Sequence, residues 1–193
     1  MVNSSGKLIL IIGPAGSGKS TMIKMFCDRH GAINPVSSTT RPIRRGEVEG
    51  ENYYYVSLEE FEKGIKDGAF LEYALVHDKY YYGTNKKQIL DILDEGGIVM
   101  REINYEGFLS LKKILGDLVK SVYILPPSIE ILKRRIRERS PISEEALERR
   151  MKSIEKETEV ASLCDAKLNS IDGDIEASYN LFEKEVLSFL EKD

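Results

Sequence analysis

The sequence has no apolar run long enough to cross a membrane. The run nearest its N-terminus covers residues 8–12 and is ended by Gly13 and Pro14, whereas a membrane helix needs about 20 apolar residues. The same short run lacks the form of a secretory signal peptide. We therefore expect a cytoplasmic protein with no membrane partner.

Cysteine, histidine and excess positive charge are also scarce. Cys27 and Cys164 have neither metal-site spacing nor a pairing pattern, so we expect reduced thiols in or near the core. The two histidines, His30 and His77, fall in predicted turns and suggest no role. A net charge of −4 lacks the basic excess that is typical of nucleic-acid binders. These absences argue against a zinc module, a disulfide scaffold and a nucleic-acid partner.

What the sequence does contain is a glycine-rich segment between a predicted strand, 8–12, and a predicted helix, 18–29. It matches the pattern G-x-x-x-x-G-K-[ST] in the strand–loop–helix context that this pattern requires. Glycines let backbone N–H groups turn toward phosphate oxygens, Lys19 can reach the outer phosphates, and Ser20 offers a hydroxyl to Mg²⁺. The segment predicts a nucleoside triphosphate site, with ATP-binding residues Gly13, Pro14, Ala15, Gly16, Ser17, Gly18, Lys19, Ser20 and Thr21.

Strand and helix patterns alternate along most of the chain, which favours an α/β fold with a parallel sheet. A β-prone stretch at about 34–83 interrupts this alternation and predicts an inserted subdomain. Within it, Ser57 and Glu60 have the spacing of a capping box at the start of a helix. Thr84 is predicted to cap the next helix, and a basic helical pair follows at about 128–157.

In its motifs the sequence resembles the guanylate kinases over nearly its whole length. Beyond the first motif the markers are residues 36–44, Gly46, Glu47, Tyr53, 70–73, 81–84, 102–103, 126–128, Arg135, Arg139 and Arg150. The resemblance implies transfer of the γ-phosphate of ATP to GMP or dGMP, with Mg²⁺, giving ADP and GDP. It also implies one domain, 1–193, with a P-loop NTPase-type core (1–33, 84–127 and 158–193), a β-rich GMP-binding insert (about 34–83) and a helical lid (about 128–157).

The acceptor site is expected to combine arginines, hydroxyls and one carboxylate. A monophosphate needs a cationic fork, and Arg41 and Arg44 lie three residues apart in a glycine-flanked loop. Glu72 interrupts an apolar strand, and one carboxylate can accept hydrogen bonds from both N1–H and N2–H of guanine, which adenine cannot supply. By resemblance, the GMP-binding residues are Ser37, Arg41, Arg44, Tyr53, Glu72, Tyr82, Thr84, Glu102 and Asn104.

Two of these assignments leave alternatives open. Tyr81 and Tyr82 alternate faces in a strand, so only one of them is expected to reach the acceptor phosphate, and alignment on Gly83 favours Tyr82. Glu102 can organise Mg²⁺-bound water or contact the P-loop lysine. Ser20 is the only residue assigned directly to the metal.

Phosphoryl transfer needs positioning and positive charge more than covalent help. By resemblance, the catalytic residues are Lys19, Arg41, Arg135, Arg139 and Arg150. Arg135 and Arg139 are four residues apart and share a helix face, whereas the neighbouring Lys133, Arg134 and Arg137 are expected to be solvated. No general base and no covalent phosphoenzyme are expected, because the acceptor phosphate is already anionic.

The sequence departs from the family pattern at several positions. Asn104 stands where the family usually has an acid, which leads to the hypothesis that discrimination among purine monophosphates is weaker. Ser140 follows Arg139 where glycine is usual, and residues 168–172 lack the Asn-Asp pair that lies near the adenine in relatives. The adenine contacts and the oligomeric state therefore stay unassigned.

Two other functions remain open at this point. One is a nucleoside monophosphate kinase of the same fold with another acceptor, and the other is an inactive interaction module. Such a module would be expected to lack the P-loop lysine or the phosphate arginines. Lys19, Arg41 and Arg44 are all present, which favours the enzyme.

Overall fold

The computed structural model describes residues 6–76, 79–139, 142–148, 151, 154 and 160–191. Its strands are β1 (Lys7–Ile12), β2 (Ser38–Thr39), β3 (Tyr54–Tyr55), β4 (Phe70–Val76), β5 (Tyr80–Asn85), β6 (Ile98–Glu102), β7 (Val119–Leu125) and β8 (Ala166–Asn169). The α-helices whose two ends both lie within the described residues are α1 (Lys19–His30), α2 (Leu58–Lys66), α3 (Lys86–Asp94), α4 (Tyr105–Leu115), α5 (Ile129–Arg139) and α6 (Ile175–Leu190). None of the helices within these described ranges is long and apolar enough to span a bilayer.

The first sheet has the strand order β6-β1-β7-β8, and all of its neighbouring strands are parallel. Every residue of β1 is buried, because this strand lies inside the sheet and helices cover both faces. Leu8 and Leu10 join the core cluster that contains Phe108 of α4, whereas Ile9 and Ile11 join the cluster formed with α1 and α6. The predicted α/β fold with a parallel sheet is confirmed.

The second sheet has the order β3-β2-β5-β4 and is built from the β-prone part of the chain. β5 runs antiparallel to both β4 and β2. The ring of Phe61 stacks on Phe70 and on Tyr81, with centroids 4.4 Å and 5.2 Å apart, and so anchors α2 to this sheet. Because the two sheets are separate, the polar residues between them border a cleft.

The predicted capping box is confirmed, because Ser57 and Glu60 cap the start of α2 reciprocally. The side chain of Asp174 caps α6. The cap predicted at Thr84 is wrong: Thr84 lies within β5, and Asn85 caps α3 by accepting a hydrogen bond from Gln88 N–H. The reason is that pairing with β4 continues through Asn85, so the backbone of Thr84 stays extended.

Candidate active site

The loop between β1 and α1 has the backbone that phosphate binding requires. Gly13, Gly16 and Gly18 have φ values of 143°, 90° and 101°, a region that residues with a side chain rarely adopt. A Cβ added at Gly13 would lie 2.4 Å from the carbonyl oxygen of Ile124 on β7. Glycine is therefore required at this position both by conformation and by the close approach of the neighbouring strand.

Lys19 lies at the start of α1 and is almost fully buried. Its Nζ donates hydrogen bonds to the carbonyl oxygens of Gly13 and Pro14, at 2.7 Å and 2.9 Å. It also lies 3.3 Å from Oε1 of Glu102, at the end of β6. Contact with the P-loop lysine, one of the two roles left open for Glu102, occurs in the structure.

Ser20 and Glu102 together offer oxygen atoms suited to a hard cation. The Ser20 hydroxyl donates a hydrogen bond of 2.9 Å to Oε2 of Glu102, so a hydroxyl and a carboxylate meet beside the P-loop. Mg²⁺ commonly takes one or two such protein ligands and completes its shell with phosphate oxygens and water. The two side chains therefore fit Mg²⁺.

A cleft of about 1400 Å³ joins the P-loop to the second sheet. This is larger than the roughly 300–1,000 Å³ typical of a site for one small ligand, so a second substrate has room beside a triphosphate. Its lining includes most of the predicted acceptor residues, namely Ser37, Tyr53, Glu72, Tyr82, Glu102 and Asn104.

Glu72 lines this cleft from β4. It lies opposite Thr84 in the β4–β5 pairing, and the buried Thr84 hydroxyl donates a hydrogen bond to Oε1 of Glu72. The carboxylate is half-buried, so it does not project freely from the edge strand. Thr84 therefore holds the Glu72 carboxylate, a hydrogen-bond acceptor, in position inside the cleft.

Arg41 is buried and held by several partners. Its Nη1 and Nη2 donate to the two carboxylate oxygens of Glu47, and its Nε donates to the Tyr82 hydroxyl at 3.2 Å. The ring of Tyr53 lies 5.4 Å from the guanidinium carbon. The predicted phosphate residues Arg41, Tyr53 and Tyr82 thus lie together, whereas Tyr81 stacks on Phe61 instead.

Glu47 is a residue whose role the sequence did not reveal. It accepts hydrogen bonds from the Arg44 N–H and the Tyr55 hydroxyl, each at 2.8 Å, as well as from Arg41. The hydrogen bonds from Arg41 are the main cause that lowers the pKa of Glu47 to about 2. Arg44 itself is exposed, and only its backbone enters this network.

Arg101 was also missed. It is 8% exposed and lies on β6, where Val99 and Met100 are fully buried. Its Nη1 donates to the Pro35 carbonyl oxygen at 2.6 Å, and its Nη2 donates to the Ser37 hydroxyl. Burial lowers the pKa of Arg101, while the nearby Glu72 acts in the opposite direction. The available signal was an arginine within an apolar strand pattern.

Arg135 connects α5 to the P-loop. Its Nη1 donates to the Gly16 carbonyl oxygen at 3.3 Å, and its Nη2 lies 3.1 Å from Oδ1 of Asp172. Arg134 is exposed as expected but also pairs with Asp172. Although partial burial opposes it, the hydrogen bonds from Arg134 and Arg135 hold the pKa of Asp172 below its usual range. The Arg139 side chain and Arg150 lie outside the described residues.

Asn104 follows β6 and caps α4. Its Oδ1 accepts a hydrogen bond of 3.0 Å from the Gly107 N–H. The residue also lines the cleft, so a structural role and a position near the acceptor site coexist.

Comparison with known proteins identifies the family. Residues 5–184 match the family model described as Guanylate kinase. The chain is 40% identical over 163 residues to a guanylate kinase of Sulfurimonas denitrificans, a match covering 84% of this chain and 79% of that protein. The chain belongs to the guanylate kinase family.

Other members of the guanylate kinase family agree with this assignment. A guanylate kinase of Clostridium tetani is 45% identical over 157 residues, covering 81% of this chain and 74% of that protein. The crystal structure of guanylate kinase from Anaplasma phagocytophilum superposes with a TM-score of 0.76 at 26% identity, covering 98% of this chain and 89% of that chain. The resemblance seen in the sequence motifs is confirmed.

Proposed function

We propose that this member of the guanylate kinase family transfers the γ-phosphate of ATP to GMP, giving ADP and GDP in a magnesium-dependent reaction. The observation that carries this proposal is the continuous cleft, which has the P-loop residues Lys19 and Ser20 at one end and Glu72 at the other. A hydrolase needs no site for a second nucleotide, whereas this cleft continues from the P-loop to the polar residues of the second sheet. The core, insert and lid ranges given above are part of the proposal.

The donor side is assigned to the P-loop and its neighbours. The loop glycines and the N-terminus of α1 favour the β- and γ-phosphates, and Lys19 supplies a buried positive charge. Ser20 and Glu102 are the residues proposed to hold Mg²⁺. The chemistry that Mg²⁺ would supply there is positive charge, which would offset the negative charge that develops during transfer.

The acceptor side is assigned to the second sheet and the strand ends that face it. Arg41, with the hydroxyls of Tyr53 and Tyr82, is proposed to bind the GMP phosphate, and Arg44 is proposed to reach it from the adjoining loop. Glu72 is proposed to accept hydrogen bonds from guanine N1–H and N2–H. Ser37 and Thr84 are proposed to contribute hydroxyl groups to the binding of the same base, and Glu102 and Asn104 are proposed to lie beside it.

In the proposed reaction, a phosphate oxygen of GMP attacks the γ-phosphorus, and the bond to the β–γ bridging oxygen breaks. The nucleophile is already anionic, so no side chain has to remove a proton. Lys19 and Arg135 are proposed to stabilise negative charge around the transferring group. Arg139 and Arg150 are proposed to complete this set of cations.

The proposal is tested by measuring ADP formation from Mg-ATP with GMP, dGMP, IMP, AMP, CMP, UMP and TMP. Turnover with GMP and dGMP is expected, and Lys19→Met is the matched control for background hydrolysis. Preferred turnover with another monophosphate would establish a different acceptor. A folded protein that binds GMP but turns over none of the acceptors would overturn the proposal in favour of an interaction module.

A further inference from the structure

Arg101 is a buried charge that the proposed reaction does not use. Burying a guanidinium is costly unless its hydrogen-bonding groups are satisfied. Its observed hydrogen-bond partners are neutral, namely the carbonyl oxygen of Pro35 and the hydroxyl of Ser37. The adjacent β6 residues Val99 and Met100 show that an apolar side chain suits this strand. The charge therefore calls for a functional explanation.

The hydrogen bond between Arg101 and Ser37 has a fixed direction. A guanidinium group can only donate hydrogen bonds, so the Ser37 oxygen must be the acceptor. Its hydroxyl hydrogen then has to point elsewhere. Ser37 and Arg101 both line the cleft, so the arrangement presents Ser37 to a ligand as a donor, backed by a positive charge.

Glu72 supplies the opposite polarity in the same part of the cleft. The Thr84 hydroxyl donates to Glu72, which leaves the carboxylate as an acceptor toward the ligand. The charge of Glu72 raises the pKa of Arg101, against the effect of burial, and both residues line the cleft. A ligand lying between them meets donors on the Ser37 side and acceptors on the Glu72 side.

This polarity matches a 6-oxopurine. Guanine presents acceptors at O6 and N7 and donors at N1 and N2, whereas adenine presents an amino group at position 6. From these contacts we infer that Arg101 is a positioning residue for acceptor specificity: it fixes Ser37 as a donor toward O6 and makes that side of the cleft positive. The inference rests on the proposed function and adds the residue that selects the 6-oxo group.

The test compares GMP with 6-thioguanosine 5′-monophosphate, which keeps N1–H and N2–H but has sulfur, a weak hydrogen-bond acceptor, in place of O6. For Arg101→Met, the ratio of kcat/KM for GMP to that for the analogue is expected to fall about tenfold, the worth of one hydrogen bond. The KM for ATP is expected to stay within about twofold, since the P-loop contacts do not involve Arg101. Equal losses with both acceptors would show a merely structural role and overturn the inference.

A double-mutant cycle tests whether Arg101 acts through Ser37. Ser37→Ala is expected to lower the same ratio, and the double variant is expected to lose no more than the larger single effect. If the losses of the two single variants add up in the double variant, Arg101 and Ser37 act independently, which would contradict the inference. If Arg101→Met does not fold, as judged by thermal unfolding and ADP binding, Arg101→Lys carries the same cycle, because an ammonium group lacks the planar fork with which Nη1 and Nη2 reach Pro35 and Ser37 at fixed geometry.

The result is separable from the proposed function itself. Absence of GMP turnover by the unmodified chain would mean that the proposed function has failed, before any variant is compared. An active unmodified chain with an unchanged acceptor ratio in Arg101→Met would overturn only the role of Arg101.

Discussion

Arg41 and Glu47 form a bidentate ion pair, in which Nη1 and Nη2 of Arg41 lie 3.0 Å and 2.8 Å from Oε2 and Oε1 of Glu47. Glu47 thus occupies one edge of the guanidinium that is proposed to bind the GMP phosphate. The remaining edge carries Nε, which is bonded to the Tyr82 hydroxyl. The pair fixes the orientation of Arg41 before any acceptor arrives, which reduces the entropy that binding has to overcome.

Loss of the Glu47 charge should weaken acceptor binding. For Glu47→Gln we expect KM for GMP to rise about tenfold, because Arg41 loses a charge-assisted hydrogen bond that orients it. The KM for ATP should not change. Steady-state kinetics with each substrate varied in turn provide the measurement, and Glu49→Gln in the same loop is the matched control. A lower KM for GMP would instead mean that Glu47 competes with the phosphate.

The same ion pair predicts a dependence of stability on pH. The pKa of Glu47 falls from 4.5 to about 2 in the folded chain, chiefly through its hydrogen bonds to Arg41. A lowered folded-state pKa adds stability above the unfolded pKa, and this contribution is lost as pH falls through the folded pKa. The difference in free energy of unfolding between the unmodified chain and Glu47→Gln should therefore shrink between pH 4.5 and 2. Urea unfolding at pH 6, 4.5 and 3.5 measures it; a constant difference would count against the prediction.

Glu72 should determine the preference for guanine. For Glu72→Gln we expect kcat/KM for GMP to fall at least about 100-fold, because an amide cannot accept from N1–H and N2–H together and a charge-assisted pair is lost. Acceptor kinetics provide the measurement. Glu51→Gln is the matched control, since Glu51 is another carboxylate that lines the cleft. Similar losses in both variants would indicate a general electrostatic effect.

Asn104 allows a test that leaves the fold in place. Asn104→Asp should keep the cap on α4, because aspartate caps helices about as well as asparagine. If Asn104 loosens acceptor recognition, this substitution should raise the ratio of kcat/KM for GMP to that for IMP. Melting temperatures establish that stability is retained, and an unchanged ratio would refute the hypothesis.

Arg135 should matter for transfer, whereas another arginine of α5 should not. Arg135→Ala is expected to lower kcat by about 100-fold or more, in the range seen when one transition-state donor is removed. Arg137 is exposed and pairs with Glu144, so Arg137→Ala should leave kcat within about twofold. Single-turnover rates at saturating ATP and GMP are measured for Arg135→Ala and Arg137→Ala. Equal losses in the two variants would contradict a specific role of Arg135 in transfer.

The parts of the fold that the sequence predicted are those encoded by neighbouring residues. The P-loop can be recognised because its glycines, lysine and serine have fixed spacing between an apolar strand and a helix, and the α2 cap because Ser57 and Glu60 are three residues apart. The cap was predicted one residue too early, at Thr84, because pairing with β4 extends β5 through Asn85. This pairing joins residues that are distant in sequence, so the local sequence pattern does not reveal it.

The parts of the site that the sequence did not predict depend on distant partners. Arg101 meets Pro35 across 66 positions of sequence, and Arg135 meets Asp172 across 37. A single arginine or aspartate in a sequence does not specify which backbone carbonyl or side chain it will approach. Sequence motifs therefore identified which types of residue form the site, whereas the contacts among those residues could be identified only from the folded structure.

The position of β1 inside the first sheet also has a consequence for synthesis on the ribosome. β1 emerges early, but its hydrogen-bonding neighbours β6 and β7 begin only at Ile98 and Val119. The close approach of Ile124 to Gly13 likewise needs β7 in place. A nascent chain that stalls before β7 therefore carries the P-loop without one of the two strands that pair with β1, and we expect such a chain to bind a triphosphate only after β7 has emerged.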